Sequence, residues 1–275
     1  MDIKLIAVDM DGTLLNSHKK LTETTLKTLQ KVVDRGIWIV PSTGRMVQGL
    51  PEYIKILPGL RYIIAINGGS VWDLKENTSI FDANIPYEQA MEVIEFVQKY
   101  DAVNECYCNN EALMSKVSYG LIDYHIPDSL AAVVKGNRKA LDDYVGFMRE
   151  KRADVQKIQL FFHDSHKRLA AIRELEKTFP KLSLTCSQTY NIELNAATAN
   201  KGNALEILCR HLHIDIQNTM AFGDGGNDKP MLLAAGYAVA MANGTDEIKS
   251  VADYVTESND EDGVARAIEK LILEA

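Results

Sequence analysis

The chain has 275 residues, enough for one or two domains, and its 46% hydrophobic and 25% charged residues are typical of a globular protein. A formal net charge of −8 argues against general attraction to nucleic acid or anionic membranes. Apolar runs such as residues 62–66 are far too short to span a bilayer, and the N-terminus shows no secretory pattern.

The first part of the chain alternates apolar strands with helices. Each predicted strand is a short apolar run, as expected of strands buried on both faces of a parallel sheet. The helix after the first strand has Thr22 as a good N-cap, and Gly36 ends it. Strand–loop–helix units in series predict right-handed crossovers and a parallel sheet. The predicted strands are residues 5–8, 37–40 and 62–66.

The middle of the chain has a different pattern of apolar and polar residues. Helical segments, including residues 138–149, mix there with short alternating strands, which indicates an α+β unit with an antiparallel sheet. From residue 200 the chain again alternates apolar strands with helices. We therefore predict an α/β fold: a doubly wound parallel sheet core of residues 1–83 and 191–275, with an inserted α+β domain of residues 84–190.

Two carboxylates, Asp9 and Asp11, end the first predicted strand, at the edge where open α/β sheets bind ligands. Acids this close repel each other unless a cation lies between them, and hard oxygen ligands suit Mg²⁺. A simple turn is one alternative, because Asp and Gly often end strands. A calcium loop is another, but no Glu stands where that loop needs it. The third interpretation is phosphoryl transfer, with Asp9 attacking phosphorus.

Three later loops place polar groups at the same predicted edge. Ser42 and Thr43 offer hydroxyls and Gly44 a backbone N–H, while Lys201 opens a helix, where a cation is unfavourable to the helix dipole. Together the loops supply the nucleophile, phosphate donors, cation and metal ligands that phosphoryl transfer needs. Taken singly, each loop could be only a turn, and the lysine only solvated surface. The polar residues of the last loop are Asp224, Asn227 and Asp228.

Taken together, the four segments resemble the four motifs of the haloacid dehalogenase superfamily, in order and across the whole chain. The inserted domain lies between the second and third motifs, which is most similar to the Cof-type sugar-phosphatase branch. The resemblance implies a Mg²⁺-dependent phosphatase of small phosphorylated metabolites, above all sugar phosphates, with the insertion as a specificity-setting cap. The segments are Asp9-Met10-Asp11-Gly12-Thr13-Leu14, Ser42-Thr43-Gly44-Arg45, Lys201-Gly202 and Gly223-Asp224-Gly225-Gly226-Asn227-Asp228.

The resemblance also implies a role for each motif residue. Asp9 is expected to be the nucleophile that forms an aspartyl-phosphate, and Asp11 the general acid and base. Asp9, Asp11 through its backbone carbonyl, and Asp224 are expected to bind Mg²⁺. The expected phosphate ligands are the N–H of Met10, the hydroxyl of Thr43, the N–H of Gly44, Lys201 and Asn227.

Three further residues in or near the motifs each have two possible roles. Arg45 binds substrate or pairs with an acid of the cap. Asn67 caps a turn, which we favour, or faces the cleft. Asp228 supports the metal-bound waters or Lys201.

Two other functions stay open at this point. A sugar phosphomutase shares the paired acids and a similar cap but needs a second basic cluster, and the one dense basic group of the insertion, Lys135, Arg138 and Lys139, is typical of surface. A regulatory protein that binds without turnover has no need of a general acid.

The remaining expectations concern the protein's surroundings. Four cysteines without a metal-binding pattern predict free thiols in a reducing cytoplasm. We expect a monomer or weak homodimer whose partner is a small phosphorylated metabolite, with no nucleic acid and no membrane.

Overall fold

The computed structural model describes residues 1–47, 50–51, 54–109, 111–186 and 188–274, with the side chain of residue 129 excepted. The chain forms two compact units, of which unit 1 comprises Met1–Asp82 and Asn200–Ala275 and unit 2 comprises Ala83–Ala199. Within the described ranges every helix is too short or too polar to cross a membrane. The four cysteines are free, and all except Cys186 are buried.

The strands and helices follow in chain order. The strands are β1 (Leu5–Asp9), β2 (Trp38–Ser42), β3 (Tyr62–Ala65), β4 (Ser70–Asp73), β5 (Thr78–Asp82), β6 (Val103–Cys108), β7 (Glu111–Ser115), β8 (Arg138–Leu141), β9 (Lys157–Phe161), β10 (Leu182–Thr185), β11 (Asn191–Ala196), β12 (Thr219–Gly223), β13 (Tyr237–Ala240) and β14 (Tyr254–Val255). The α-helices are α1 (Glu23–Asp34), α2 (Tyr87–Val97), α3 (Lys116–Gly120), α4 (Ile122–His125), α5 (Asp128–Gly136), α6 (Tyr144–Lys151), α7 (Ser165–Thr178), α8 (Lys201–Leu212), α9 (Lys229–Ala234), α10 (Asp246–Lys249) and α11 (Gly263–Ile268).

Unit 1 is built on an eight-stranded sheet with the order β14-β13-β12-β1-β2-β3-β4-β5. The strands from β14 to β3 are parallel, and β4 and β5 extend the sheet antiparallel at one end. Side chains of β1 alternate between two apolar clusters: Leu5 and Ala7 pack with residues of α8, and Ile6 and Val8 with residues of α1 and α11. Helices on both faces of a mostly parallel sheet confirm the predicted α/β, doubly wound core.

Unit 2 has a six-stranded sheet with the order β10-β11-β9-β6-β7-β8. Its pairs are antiparallel except for β7 and β8. One apolar cluster combines side chains of this sheet with residues of α2, α6 and α7, and a smaller one involves residues of α4 and α5. Mixed helices and an antiparallel sheet are what the sequence predicts for the insertion.

Two sequence-based boundaries need correction. The second domain boundary lies at 199/200 and not at 190/191, because β11 pairs antiparallel with β9 and β10 and so belongs to unit 2. The helix predicted for residues 138–149 is wrong at its start, where Arg138–Leu141 forms β8 and the helix α6 begins only at Tyr144. Parallel pairing with β7 fixes β8 as a strand, and a sequence pattern does not reveal such a partner.

Candidate active site

The site is organised around the carboxyl end of β1, the strand between β12 and β2 in the sheet of unit 1. Asp9 is the last residue of β1, is only 6% exposed, and lies opposite Ser42 of β2 in the parallel register. On the other side, Val8 lies opposite Phe222 of β12. The loops after these three strands therefore start at one edge of the sheet, as predicted.

Lys201 reaches this edge from the first turn of α8, whose N-cap Asn200 accepts a hydrogen bond from the N–H of Asn203. Its ammonium is fully buried and lies 2.5 Å from Asp9 Oδ1 and 2.6 Å from Asp228 Oδ1. It also donates to the carbonyl oxygen of Ser42 at 3.3 Å. The two carboxylates offset the unfavourable position of a cation at a helix N-terminus.

The charges of this buried group shift its pKa values. Burial by itself lowers the pKa of Lys201, but the charges of Asp228 and Asp9 outweigh it, so the pKa is raised and the ammonium is retained. Burial raises the pKa of Asp9, the charge of Asp228 adds to this, and Lys201 opposes it only in part. Burial likewise raises the pKa of Asp224. At Asp9, the charge of Lys201 therefore offsets only part of the effects of burial and of the neighbouring carboxylate.

Three acids form a cluster that fits a divalent cation. Asp9, Asp224 and Asp228 each offer one carboxylate oxygen, and these oxygens lie within 4.8 Å of one another. Hard oxygen donors fit Mg²⁺, whose charge would offset the repulsion between the three carboxylates. The structure brings the predicted ligands Asp9 and Asp224 together. Asp228 also binds Lys201, which agrees with one of its two predicted roles.

The carboxylate of Asp11 does not join the cluster. It accepts hydrogen bonds from Arg45, at 2.9–3.1 Å, and from Lys19, at 2.8 Å. Burial raises the pKa of Asp11, but the charges of Arg45 and Lys19 more than offset this and lower it. The acid that pairs with Arg45 among the described residues belongs to unit 1 and not to unit 2, so the predicted pairing with an acid of the cap is corrected, while a contact of Arg45 with substrate stays a prediction. Lys19 was missed, since a lysine in a polar link carries no sequence signal.

Asn67 contacts three of the predicted phosphate ligands, Thr43, Gly44 and Asn227. Asn67, in the left-handed region at φ 54°, donates its N–H to the carbonyl of Thr43. Its side-chain oxygen accepts from Asn227 Nδ2 at 3.1 Å and leaves no room for a Cβ at Gly44. Asn67 is therefore more than the turn residue that the sequence favours, because its side chain contacts two motifs.

Other residues of the first motif, Met10, Gly12 and Thr13, also make contacts at the site. Met10 is buried in an apolar cluster, so only its backbone is available for a ligand. Thr13 Oγ1 donates to Asp224 Oδ1 at 2.8 Å, and Asn243 Nδ2 donates to the carbonyl of Gly12 at 2.8 Å. The sequence analysis assigns no role to Thr13, although this residue lies within the first motif and its hydroxyl is a candidate partner for the acids.

Known proteins are similar to this chain in sequence and in structure. A sequence model of the haloacid dehalogenase-like hydrolases matches residues 6–268. The chain belongs to the haloacid dehalogenase-like hydrolase family. The match confirms the predicted resemblance and is consistent with its Cof-type branch.

Individual members of the family match over nearly the whole chain. It is 32% identical over 274 residues to 5-amino-6-(5-phospho-D-ribitylamino)uracil phosphatase YcsE of Bacillus subtilis, covering 99% of this chain and 97% of that protein. It is 30% identical over 287 residues to phosphatase YwpJ of the same organism, covering 98% and 100%. The crystal structure of a haloacid dehalogenase-like hydrolase from Bacteroides thetaiotaomicron matches with a TM-score of 0.83, 27% identity, and coverage of 98% and 100%. The protein is therefore a phosphatase, as predicted.

Proposed function

We propose that the protein is a Mg²⁺-dependent phosphatase that hydrolyses small phosphorylated metabolites, above all sugar or sugar-alcohol phosphates, through an aspartyl-phosphate on Asp9. The observation that carries this proposal is the buried contact of Asp9 with Lys201, within a cluster of three acids at the end of the central strand. A carboxylate held by an ammonium beside a metal-type oxygen cluster is suited to in-line attack on phosphorus.

Two half-reactions follow from these residues. In the first, an oxygen of Asp9 bonds to phosphorus while the bond from phosphorus to the ester oxygen breaks, and Asp11 gives that oxygen a proton. In the second, water attacks phosphorus, Asp11 takes a proton from the water, and the Asp9–phosphorus bond breaks. Lys201 neutralises charge on the transferring phosphoryl group throughout.

The phosphoryl group needs donors in addition to Lys201. The hydroxyl of Thr43, the N–H groups of Met10 and Gly44, and the amide of Asn227 are proposed to bind its oxygens. The ion would be held by Asp9, Asp224, the backbone carbonyl of Asp11, and Asp228 directly or through water. When bound, Mg²⁺ supplies charge that offsets the repulsion between these carboxylates and the phosphate.

The substrate class rests on the relatives and on unit 2. YcsE is named for a substrate whose phosphate is on a ribityl chain, a sugar alcohol. That name supports a polyol or sugar phosphate for this chain as well. We further propose that unit 2 acts as the cap that sets specificity, and that the enzyme works in the cytoplasm.

The phosphomutase alternative gains no support from the basic group in unit 2. Lys135 pairs with Asp123 at 2.6 Å, and Lys139 lies 3.8 Å from Glu111. Arg138, predicted to be on the surface, is instead 10% exposed and bound to Glu105. All three cations have carboxylate partners, so they do not form the open basic cluster that a bisphosphate requires.

The proposal predicts the loss of activity in Asp9→Asn. Hydrolysis of p-nitrophenyl phosphate with Mg²⁺ is expected to fall at least about 10³-fold, because the amide is a poor nucleophile. EDTA is expected to stop the wild-type enzyme, and added Mg²⁺ to restore it. Asp2→Asn, at an exposed acid, is the matched control and should keep full activity. Turnover retained by Asp9→Asn or in EDTA would refute the mechanism.

A further inference from the structure

The turn that follows β3 has an unusual backbone conformation. Ile66, Asn67 and Gly68 all lie in the left-handed region, with φ angles of 54°, 54° and 90°. Asn and Gly tolerate this conformation, but a β-branched residue such as Ile rarely adopts it. Such strain persists only where neighbouring contacts hold the backbone in place. The contacts around this turn therefore show what its shape serves.

The second motif supplies several of these contacts. The N–H of Ile66 donates to the carbonyl of Arg45 at 3.0 Å. The N–H of Asn67 donates to the carbonyl of Thr43 at 2.9 Å, and the N–H of Thr43 donates to the carbonyl of Ile64 at 2.8 Å. The strained turn and the loop that contains the predicted phosphate ligands of this motif are thus bound to each other through their backbones.

The fourth motif is reached by a side chain of the same turn. Asn67 is only 3% exposed, and its Oδ1 accepts a hydrogen bond from Asn227 Nδ2 at 3.1 Å. The next residue, Asp228, binds the ammonium of Lys201. A residue that serves only a left-handed turn needs no such contact, because glycine adopts that conformation as readily. The side chain of Asn67 therefore has a purpose beyond the turn.

The direction of this hydrogen bond matters for a phosphate ligand. A side-chain amide has an oxygen that accepts and a nitrogen that carries two N–H groups. The oxygen of Asn67 takes one N–H of Asn227, and the second N–H of the same nitrogen can then bind a phosphate oxygen. Rotation of the Asn227 amide by 180° would place its oxygen against the oxygen of Asn67 and would present an acceptor to an anion.

We propose that Asn67 is a positioning residue of the phosphate site, whose side-chain oxygen holds the amide of Asn227 so that its NH₂ group, and not its oxygen, meets a phosphate oxygen. The inference rests on the proposed function, in which Asn227 binds the phosphoryl group. Asn67 acts through Asn227 and needs no contact with the substrate.

The first test removes the side chain and keeps the backbone conformation. In Asn67→Gly, kcat/KM for p-nitrophenyl phosphate is expected to fall about tenfold, and the inhibition constant of inorganic phosphate to rise about tenfold, because Asn227 is free to rotate. Asn77→Gly is the matched control, since Asn77 is an exposed asparagine with φ 51° in the turn between β4 and β5. It should leave both quantities unchanged.

A double-mutant cycle separates positioning from general support of the fold. In the background of Asn227→Ala, the change Asn67→Gly is expected to alter kcat/KM by less than about twofold, because the amide that Asn67 holds is already absent. A merely structural Asn67 would instead cost the same factor in both backgrounds. That additive result, or unchanged phosphate inhibition in Asn67→Gly, would overturn the inference.

NMR of the wild-type protein tests the same contact without relying on the stability of Asn67→Gly. The side-chain NH₂ signals of Asn227 are assigned by their loss in Asn227→Ala and followed during titration with inorganic phosphate and MgCl₂. One of the two protons is expected to shift, while the proton bound to Asn67 keeps its position. An enzyme that hydrolyses p-nitrophenyl phosphate but shows no shift at Asn227 would refute the inference and leave the proposed function intact. A wild-type protein inactive on this ester would instead contradict the proposed function, and the role of Asn67 with it.

Discussion

At the scale of single residues, the acids of the site are oriented by neighbours in the fold. Asp228 accepts from the N–H groups of Asp224 and Gly225, both at 2.9 Å, while its other oxygen binds Lys201. Asp224 is held by the hydroxyl of Thr13. Such partners fix a carboxylate before a ligand arrives, and they raise the affinity for a metal ion.

We therefore expect Thr13→Val to weaken Mg²⁺ binding about tenfold or more, because the isosteric side chain keeps the packing but frees Asp224 to rotate. Isothermal titration calorimetry with MgCl₂ measures this without turnover. Thr13→Ser retains the hydroxyl and is expected to bind nearly as wild type. Equal Mg²⁺ affinity in Thr13→Val and wild type would show that the hydrogen bond does not position Asp224.

At the scale of elements, the turn after β3 packs directly on the start of α8. Gly68 has φ +90°, and a Cβ there would overlap the backbone carbonyl of Asn200, the residue before Lys201. The position of Lys201 thus depends on a glycine far away in sequence. Gly36, which ends α1, also has a positive φ, at +80°, but has open space around it.

Comparing alanine variants of Gly36 and Gly68 separates the cost of backbone strain from the cost of steric overlap. Gly36→Ala is expected to cost about 1 kcal/mol of unfolding free energy, from the left-handed conformation alone. Gly68→Ala is expected to cost at least about 3 kcal/mol, since overlap with rigid backbone adds to that strain. Urea unfolding measures both. Gly68→Ala should also lower kcat, because Lys201 is displaced, and equal costs in the two variants would contradict the close contact.

At the scale of the whole molecule, each unit has its own apolar clusters. The clusters of unit 2 consist only of its own residues, and those of unit 1 combine its two chain segments. Unit 2 is continuous in sequence, whereas unit 1 is assembled from both ends of the chain. A unit with its own core is expected to fold by itself.

We expect a fragment of residues 83–199 to unfold cooperatively, because its clusters need no side chain from unit 1. Circular dichroism during urea denaturation, together with dispersed amide NMR signals, tests this. A fragment that ends at residue 190 is the control and should fail, since it lacks β11 between β9 and β10. A non-cooperative transition in the longer fragment would contradict the independence of the unit.

The order of apolar and polar segments along the chain was enough to predict the family, the doubly wound core and the inserted α+β unit. Motifs at strand ends are local patterns, and parallel topology brings such ends to one edge whatever the details of packing. Asp9, Lys201 and Asp224 were predicted as partners for this reason, and the structure brings them together.

The tertiary structure alone decided which partners each side chain takes. That Arg45 and Lys19 hold Asp11, that Thr13 holds Asp224, and that β11 belongs to unit 2 depend on contacts between distant segments. No local pattern encodes these contacts, because a hydrogen bond or strand pair depends on where both partners lie after folding.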